Sequence, residues 1–243
     1  MSMLFVAAST QTVAMGSGST ALANAAGATL MAWVNPVSLP TPAGNSVFGL
    51  SNGISAGSSR AKIGVMGSGA LRGNGRCLDE DSNQDFSGGP AGVVTLGTWQ
   101  HIAATFDYPN KLIRLYYNGV LNVTSGVVTW GASSTSNTAS QSMNIGSQHG
   151  GGSEYWDGGI DDARCYNRLL SASELLIIAS ARGRDKIVYG LQHRYVLIEG
   201  APGNIASSTT VIVDVGATQK NGTPANSPTW STSLLKFRKP TIG

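Results

Sequence analysis

The stretch Thr98–Val123, TWQHIAATFDYPNKLIRLYYNGVLNV, decides how this sequence folds. Ile102, Ala104 and Phe106 share one face of an extended strand and place His101 on the other, the period-2 pattern of a half-buried strand. Asp107-Tyr-Pro-Asn then reverses the chain, and Leu112 to Tyr117 form a second strand. Asn118-Gly119 follows, the strongest short-range hairpin signal, because a type I′ turn needs positive φ at both central positions. Val120 to Val123 returns alongside.

Working outward, the same vocabulary recurs. Met3 to Val13 has strand character, and in Thr29 to Val34 the residues Leu30, Ala32 and Val34 alternate with Met31 and Trp33 until Pro36, Pro40 and Pro42 end the strand. Val47 to Leu50 and Lys62 to Met66 are short apolar runs bounded by Gly and Ser. Residues 67 to 92 read as a long connection rich in Gly, Asn and Asp, a length that marks a functional or mobile loop. Ser142 to Gly146 and Gly159 to Tyr166 add two strands. One helix stands out: Ser171 caps it, Glu174 completes a capping box, Leu175 to Ile178 fill it and Gly183 ends it. It is expected to pack on one sheet edge. Ile187 to Ile198 and Thr209 to Val215 read as strands again, before the turn-rich Gly216 to Pro228 and a basic tail. Many short strands with turn signals between them are the pattern of an all-β sandwich or barrel.

Composition supports one large sandwich. A chain of 243 residues is within the range of a single all-β domain, and 41% hydrophobic residues can fill its core. Charged residues are only 12%, about half the usual share, so Ser, Thr, Asn, Gly and Ala must cover the surface. The 32 glycines are scattered, which excludes a collagen-like period and means many turns. A net charge of +3 with one basic cluster, Lys236, Arg238 and Lys239, gives no stripe for nucleic acid; the cluster is a candidate docking site for an acidic partner. The start MSMLFVAAST lacks the features of a secretory signal, and no apolar run approaches a membrane span. For a chain made in the cytoplasm, Cys77 and Cys165 are expected as free buried thiols, and the sequons at Asn122 and Asn221 as accidents.

Three motifs in order resemble the laminin-G-like, concanavalin-A-like jelly-roll family: Gly97-Thr-Trp-Gln-His-Ile-Ala-Ala-Thr-Phe-Asp, Arg114-Leu-Tyr-Tyr-Asn-Gly, and Gly159-Ile-Asp-Asp-Ala-Arg-Cys-Tyr-Asn-Arg-Leu-Leu-Ser-Ala-Ser-Glu. The resemblance covers roughly Met1 to Arg184. It implies an all-β fold, a two-sheet antiparallel jelly-roll sandwich with one short helix, with residues 1–183 as the core and 184–243 as an extension that completes the fold or docks to a partner. The layout also resembles stand-alone laminin-G-like proteins of tailed bacteriophages. That resemblance implies a capsid decoration protein: a homo-oligomeric virion component made in the host cytoplasm, with the major capsid protein or other virion proteins as partners. The alternative is a carbohydrate-binding adhesion module that grips surface glycans. Low surface charge suits assembly, since it avoids burying unpaired charge.

No enzyme is expected. Glycoside hydrolysis needs two carboxyl groups flanking the scissile bond, and Glu80, Glu154, Glu174 and Glu199 stand alone in the sequence. His101, His149 and His193 are far apart, with neither a serine nucleophile elbow nor metal-ligand spacing beside them. Asp157, Asp161 and Asp162 form the candidate calcium site, because calcium takes several hard oxygens at a loop-to-strand junction and family members often bind it nearby. Relatives also carry an acidic residue on the first strand, where this chain has Phe5-Val-Ala-Ala-Ser; the alternative is that Asp161 accepts from backbone or Arg164 and Asp157 caps a turn. Trp130, Tyr155 and Trp156 are the candidate sugar-stacking platform, with loops 67 to 92 and 147 to 156 as its surfaces, unless Trp156 belongs to the core. Trp33 and Trp99 are expected as core anchors.

Overall fold

The computed structural model describes the chain apart from residues 18, 43, 52–58, 78–83, 131–132, 137–141, 149–152 and 233–243. The described chain runs through β1 (Ser2–Phe5), a 3-10 turn (Ala7–Ser9), β2 (Thr12–Ala14), β3 (Gly27–Ser38), β4 (Asn45–Ser51) and β5 (Ser59–Val65). Next come β6 (Leu71–Gly75), β7 (Gln84–Gly88), β8 (Gln100–Asp107), β9 (Leu112–Tyr117), β10 (Val120–Thr124) and β11 (Ser142–Ile145). Last are β12 (Asp157–Tyr166), α1 (Ala172–Ala181), β13 (Leu191–Tyr195), β14 (Thr223–Ala225) and β15 (Thr229–Ser231). One sheet has the order β10-β9-β8-β3-β12-β1-β15, with β13 also paired to β12, and the other has β14-β2-β11-β4-β5-β6-β7. All the pairings between named strands are antiparallel, and the two sheets pack as the expected jelly-roll sandwich with one helix.

The alternation in the opening segment sets the layers. Ile102, Ala104 and Phe106 of β8 face the second sheet, together with Leu30, Ala32 and Val34 of β3, and meet Phe48, Leu50, Ile63 and Val65 in the buried core. Fully burying each of the larger side chains contributes about 1.5–3 kcal/mol. The turn into β10 has φ of 48° at Asn118 and 81° at Gly119, as a type I′ turn requires. Gly119 has a second reason to be glycine: a Cβ there would lie 2.7 Å from Leu176 Cα in α1.

Several elements depart from the sequence reading. Met3 to Val13 is two strands in different sheets; the chain leaves the first sheet after Phe5 because Thr10 turns left-handed (φ 51°) and Gln11 Oε1 accepts the Val6 N–H at 2.7 Å. β3 runs past Pro36. Its pairing with β8 ends at Val34, so no partner on that side lacks the missing N–H, and on the β12 side a register shift absorbs the ring. Residues 67 to 92 hold β6 and β7. LRGNG has weak strand propensity, yet Gly73 is what fits: a Cβ there would come 2.9 Å from both Ile113 and Leu115. Thr209 to Val215 makes only isolated bridges, because Asp214 takes the Arg194 and Gly216 N–H groups on its carboxylate in place of a ladder.

The helix lies on the outer face of the larger sheet, not at an edge. Leu175 and Ile178 pack on Met31, Ala103, Tyr116 and Tyr166, so β3 and β8 are buried on both faces. Its Ser171–Glu174 capping box is formed, and Arg182 (φ 48°) and Gly183 (φ 82°) end it in left-handed conformation. Beyond residue 184, β13 joins β12, β15 covers the edge of β1 and β14 that of β2. Cys77 and Cys165 are both buried and are not joined in a disulfide. Among the described residues no helix is long and apolar enough to cross a membrane.

Candidate functional site

A cavity of about 250 Å³ opens on the outer face of the larger sheet, lined by Trp33, Trp99, Asn118, Ala179, Ser180 and Arg182. The fold assembles it from three elements. β3 turns Trp33 outward because the alternate residues Ala32 and Val34 face the core. Trp99, half-buried before β8, has room for its ring because its neighbour on β12 is Gly159; a Cβ there would sit 2.9 Å from the indole. The left-handed end of α1 carries the exposed Arg182 guanidinium to 5.9 Å above the Trp33 ring, within cation–π reach. Exposed Asn118 spends its carboxamide oxygen on the His101 N–H at 2.9 Å, so what it offers a ligand is its amide donor. Aromatic walls with a few fixed donors are the usual make-up of a small-ligand pocket.

The floor is rigid and charged. Behind the pocket, His101 is buried against Trp33 (ring centroids 5.6 Å, 62°), and burial foremost, with the nearby Arg164, pushes its pKa down from 6.5 to about 4. Deeper, the fully buried Arg164 binds Asp162 at 2.5 Å and Asp185 at 2.8 Å, and Arg194 reaches Asp162 at 2.7 Å. Burial pushes the Asp162 carboxyl up, but the two guanidinium groups win and hold it below the usual range. Asp162 itself sits at φ 45° in a register shift of β12 opposite Met31 and Trp33, the extra residue of a bulge that turns its side chain towards both arginines.

The residues singled out from sequence are placed otherwise. Asp157, Asp161 and Asp162 do not converge: Asp157 accepts from Ala7 N–H and the Ser38 hydroxyl, Asp161 from the Asp162 N–H, and Asp162 from the arginines. They lie along a strand rather than around a loop, where four residues span about 13 Å, and among the described residues no group of three acidic, His or Cys side chains converges for a metal. The calcium expectation is corrected accordingly, and Arg164 pairs with Asp162, not Asp161. Trp130 is buried with its Nε1–H on Gly75 O at 2.9 Å, and Trp156 is fully buried in the core, so with half-buried Tyr155 they offer no stacking platform. Lys236, Arg238 and Lys239 lie outside the described residues, as does His149. Glu154 does not stand alone: from loop 147 to 156 it binds Lys62 at 2.7 Å and Arg72 at 2.8 Å on β5 and β6. Trp33 and Trp99, expected inside the core, are the aromatic walls of the outer pocket. His101 and Asn118 stood in the quoted segment, but only the helix packed over them makes a pocket there.

Residues 8–176 match the sequence pattern of the Concanavalin A-like lectin/glucanases superfamily of laminin-G type. That is more than half of the chain, and the protein belongs to this family. No curated protein matches it. Among solved structures, it is similar to a Bacteroides ovatus protein to which carbohydrate binding is ascribed, with a TM-score of 0.64 and 16% identity over 96% of this chain. The match spans 60% of that protein's length. A heptameric SAP-like pentraxin from Limulus polyphemus gives 0.55 and 18% identity, covering 79% of this chain and 83% of the pentraxin. The CBM40 module of a Ruminococcus gnavus IT-sialidase, bound to α2,3 sialyllactose, gives 0.51 and 19%, covering 65% of this chain and 84% of the module. At such identities the likeness is one of fold.

Proposed function

We propose that this chain is a lectin-like carbohydrate-binding module whose binding site is the Trp33–Trp99–Arg182 pocket. The observation that carries the reading is the juxtaposition of two indoles with an exposed guanidinium and an amide donor around a cavity of monosaccharide size. The indole faces suit the apolar C–H face of a pyranose, and Arg182 and Asn118 suit hydroxyl or carboxylate oxygens. The carbohydrate binding ascribed to the Bacteroides ovatus protein and the sialyllactose bound to the Ruminococcus gnavus module, both of like fold, support the reading. The pocket holds a sugar without cleaving it, since none of its six lining residues is a carboxylic acid.

A second reading, the phage-head decoration protein that the resemblance to stand-alone laminin-G-like phage proteins implies, is favoured by one feature. Val188, Tyr189, Ile205, Val211, Val213 and Val215 are exposed apolar residues in the C-terminal part of the chain, a composition suited to contact with a virion partner or another copy. The two readings separate in one experiment: the purified chain and its Trp99→Ala and Arg182→Ala variants are applied to a glycan array, and the wild type to assembled phage heads. Saturable glycan binding that both substitutions weaken supports the lectin; head binding without glycan binding replaces it with the virion protein.

A further inference from the structure

A second cavity, of about 400 Å³, is lined by Ser19, Thr20, His193, Thr218, Gln219 and Lys220. It brings together residues far apart in sequence. Ser19 precedes the turn that leads into β3, His193 is central in β13, and Asp214 bridges to Tyr195 at the end of that strand. Ser19 Oγ lies 3.0 Å from His193 Nε2, and His193 Nδ1 lies 2.7 Å from Asp214 Oδ2. Those are the distances of a nucleophile held by a base that is itself oriented by a third group.

The remaining hydrogen bonds fix the protonation pattern. Asp214 Oδ1 accepts the Arg194 and Gly216 N–H groups, each at 2.8 Å, and Oδ2 accepts the Lys220 N–H at 2.8 Å. Burial pushes the Asp214 carboxyl up, but the His193 and backbone hydrogen bonds together hold it below its ordinary range. An ionised carboxylate only accepts, so the neutral imidazole carries its proton on Nδ1 and turns a lone pair on Nε2 towards Ser19. The one nearby competitor is Thr218 Oγ1, 2.7 Å from Nδ1 and 3.2 Å from Nε2. Its single proton goes to Gln192 O at 2.8 Å, so it takes a share of the Nδ1 proton and leaves Nε2 to the serine. The Lys220 ammonium on the wall spends one donor on Ser17 O at 2.5 Å and has two more to meet a developing negative charge.

We propose that Ser19, His193 and Asp214 form a nucleophilic triad that hydrolyses a short-chain carboxylic ester of a polyhydroxylated alcohol. The substrate class follows from the wall, which presents hydroxyls, an amide, an imidazole and an ammonium, while none of the six lining residues carries a hydrophobic side chain to receive a long acyl chain. Ser19 Oγ attacks the ester carbonyl carbon as its proton passes to His193 Nε2. The bond from carbonyl carbon to the leaving oxygen breaks, and that oxygen takes the proton from His193. Water then attacks the acyl-serine, giving up a proton to Nε2. The carboxylic acid leaves, and the proton returns to Ser19 Oγ. This activity is separate from the sugar pocket and does not depend on it.

The test uses the full chain with a fluorophosphonate probe and with p-nitrophenyl acetate. A covalent adduct mapped to Ser19 by peptide mass spectrometry is expected, together with ester hydrolysis that Ser19→Ala abolishes. His193→Gln is expected to slow adduct formation about 10²- to 10⁴-fold, the range for removing a general base. Near-UV circular dichroism confirms that each variant is folded. If His193→Gln does not fold, wild type against Ser19→Ala, which loses only one hydroxyl, decides alone. A folded wild type that forms no Ser19 adduct, or hydrolyses the ester no faster than Ser19→Ala, overturns the proposal. An adduct that forms equally fast in folded His193→Gln overturns it too, since the serine would then be merely accessible.

Discussion

Trp33 and His101 stand directly opposite each other on β3 and β8, with ring centroids 5.6 Å apart, and both imidazole nitrogens are buried without a hydrogen-bond partner among the described residues. The pair forms the back of the Trp33–Trp99–Arg182 pocket, and its stability depends on the imidazole staying neutral. A proton there would be desolvated beside Arg164, only partly offset by Asp162 and Asp185.

This relationship sets a pH dependence. The histidine titrates near 6.5 when unfolded and near 4 when folded, so between those values the unfolded chain binds more protons. The associated stability is fully present above pH 6.5 and is lost as pH falls towards 4, by on the order of 3 kcal/mol. Urea unfolding of wild type and His101→Phe between pH 7 and 4 measures it. The variant is expected to lose that part of the slope; an identical slope in both would assign it to other groups.

Breaking the buried charge network should be expensive. Asp162→Asn leaves Arg164 and Arg194 short of their carboxylate and is expected to cost about 3–5 kcal/mol in chemical denaturation. Arg114→Ala, which removes one partner of Asp107, leaves its Asn110 hydrogen bonds in place and acts where the arginine is 28% exposed, should cost less than about 1 kcal/mol. Equal costs for the two would refute burial as the source of the difference.

Gly119→Ala meets two obstacles: a φ of 81° and a Cβ placed 2.7 Å from Leu176 Cα and 2.9 Å from Leu175 O. Strain and overpacking together are expected to cost about 2–4 kcal/mol. Because α1 must shift, the glycan affinity proposed for the pocket at Ala179, Ser180 and Arg182 should fall as well. A folded variant with unchanged denaturation midpoint and affinity would disprove the close approach.

A chain ending at Gly183 should not fold cooperatively. It lacks Asp185, which holds the buried Arg164, and the strands that pair with β12, β1 and β2. It also lacks Tyr195 and Trp230, both buried in the core. Thermal denaturation followed by circular dichroism checks this; a sharp, wild-type-like transition would show instead that residues 1–183 are self-sufficient.

Local chemistry made much of the fold legible in the sequence. The period-2 alternation of Ile102, Ala104 and Phe106, the positive-φ pair Asn118-Gly119 and the Ser171–Glu174 capping box act over a few residues, so a one-dimensional reading finds them. Strand β6 is hidden because Gly73 is suited there only by the distant Ile113 and Leu115. The sites were decided by tertiary structure alone. Whether an indole is core or pocket wall depends on what covers its face: α1 and Gly159 put Trp33 and Trp99 around a cavity, while the opposite packing buried Trp130 and Trp156. Ser19, His193 and Asp214 meet only because β13 joins the sheet late in the chain, and no spacing along the sequence records a contact across 174 positions.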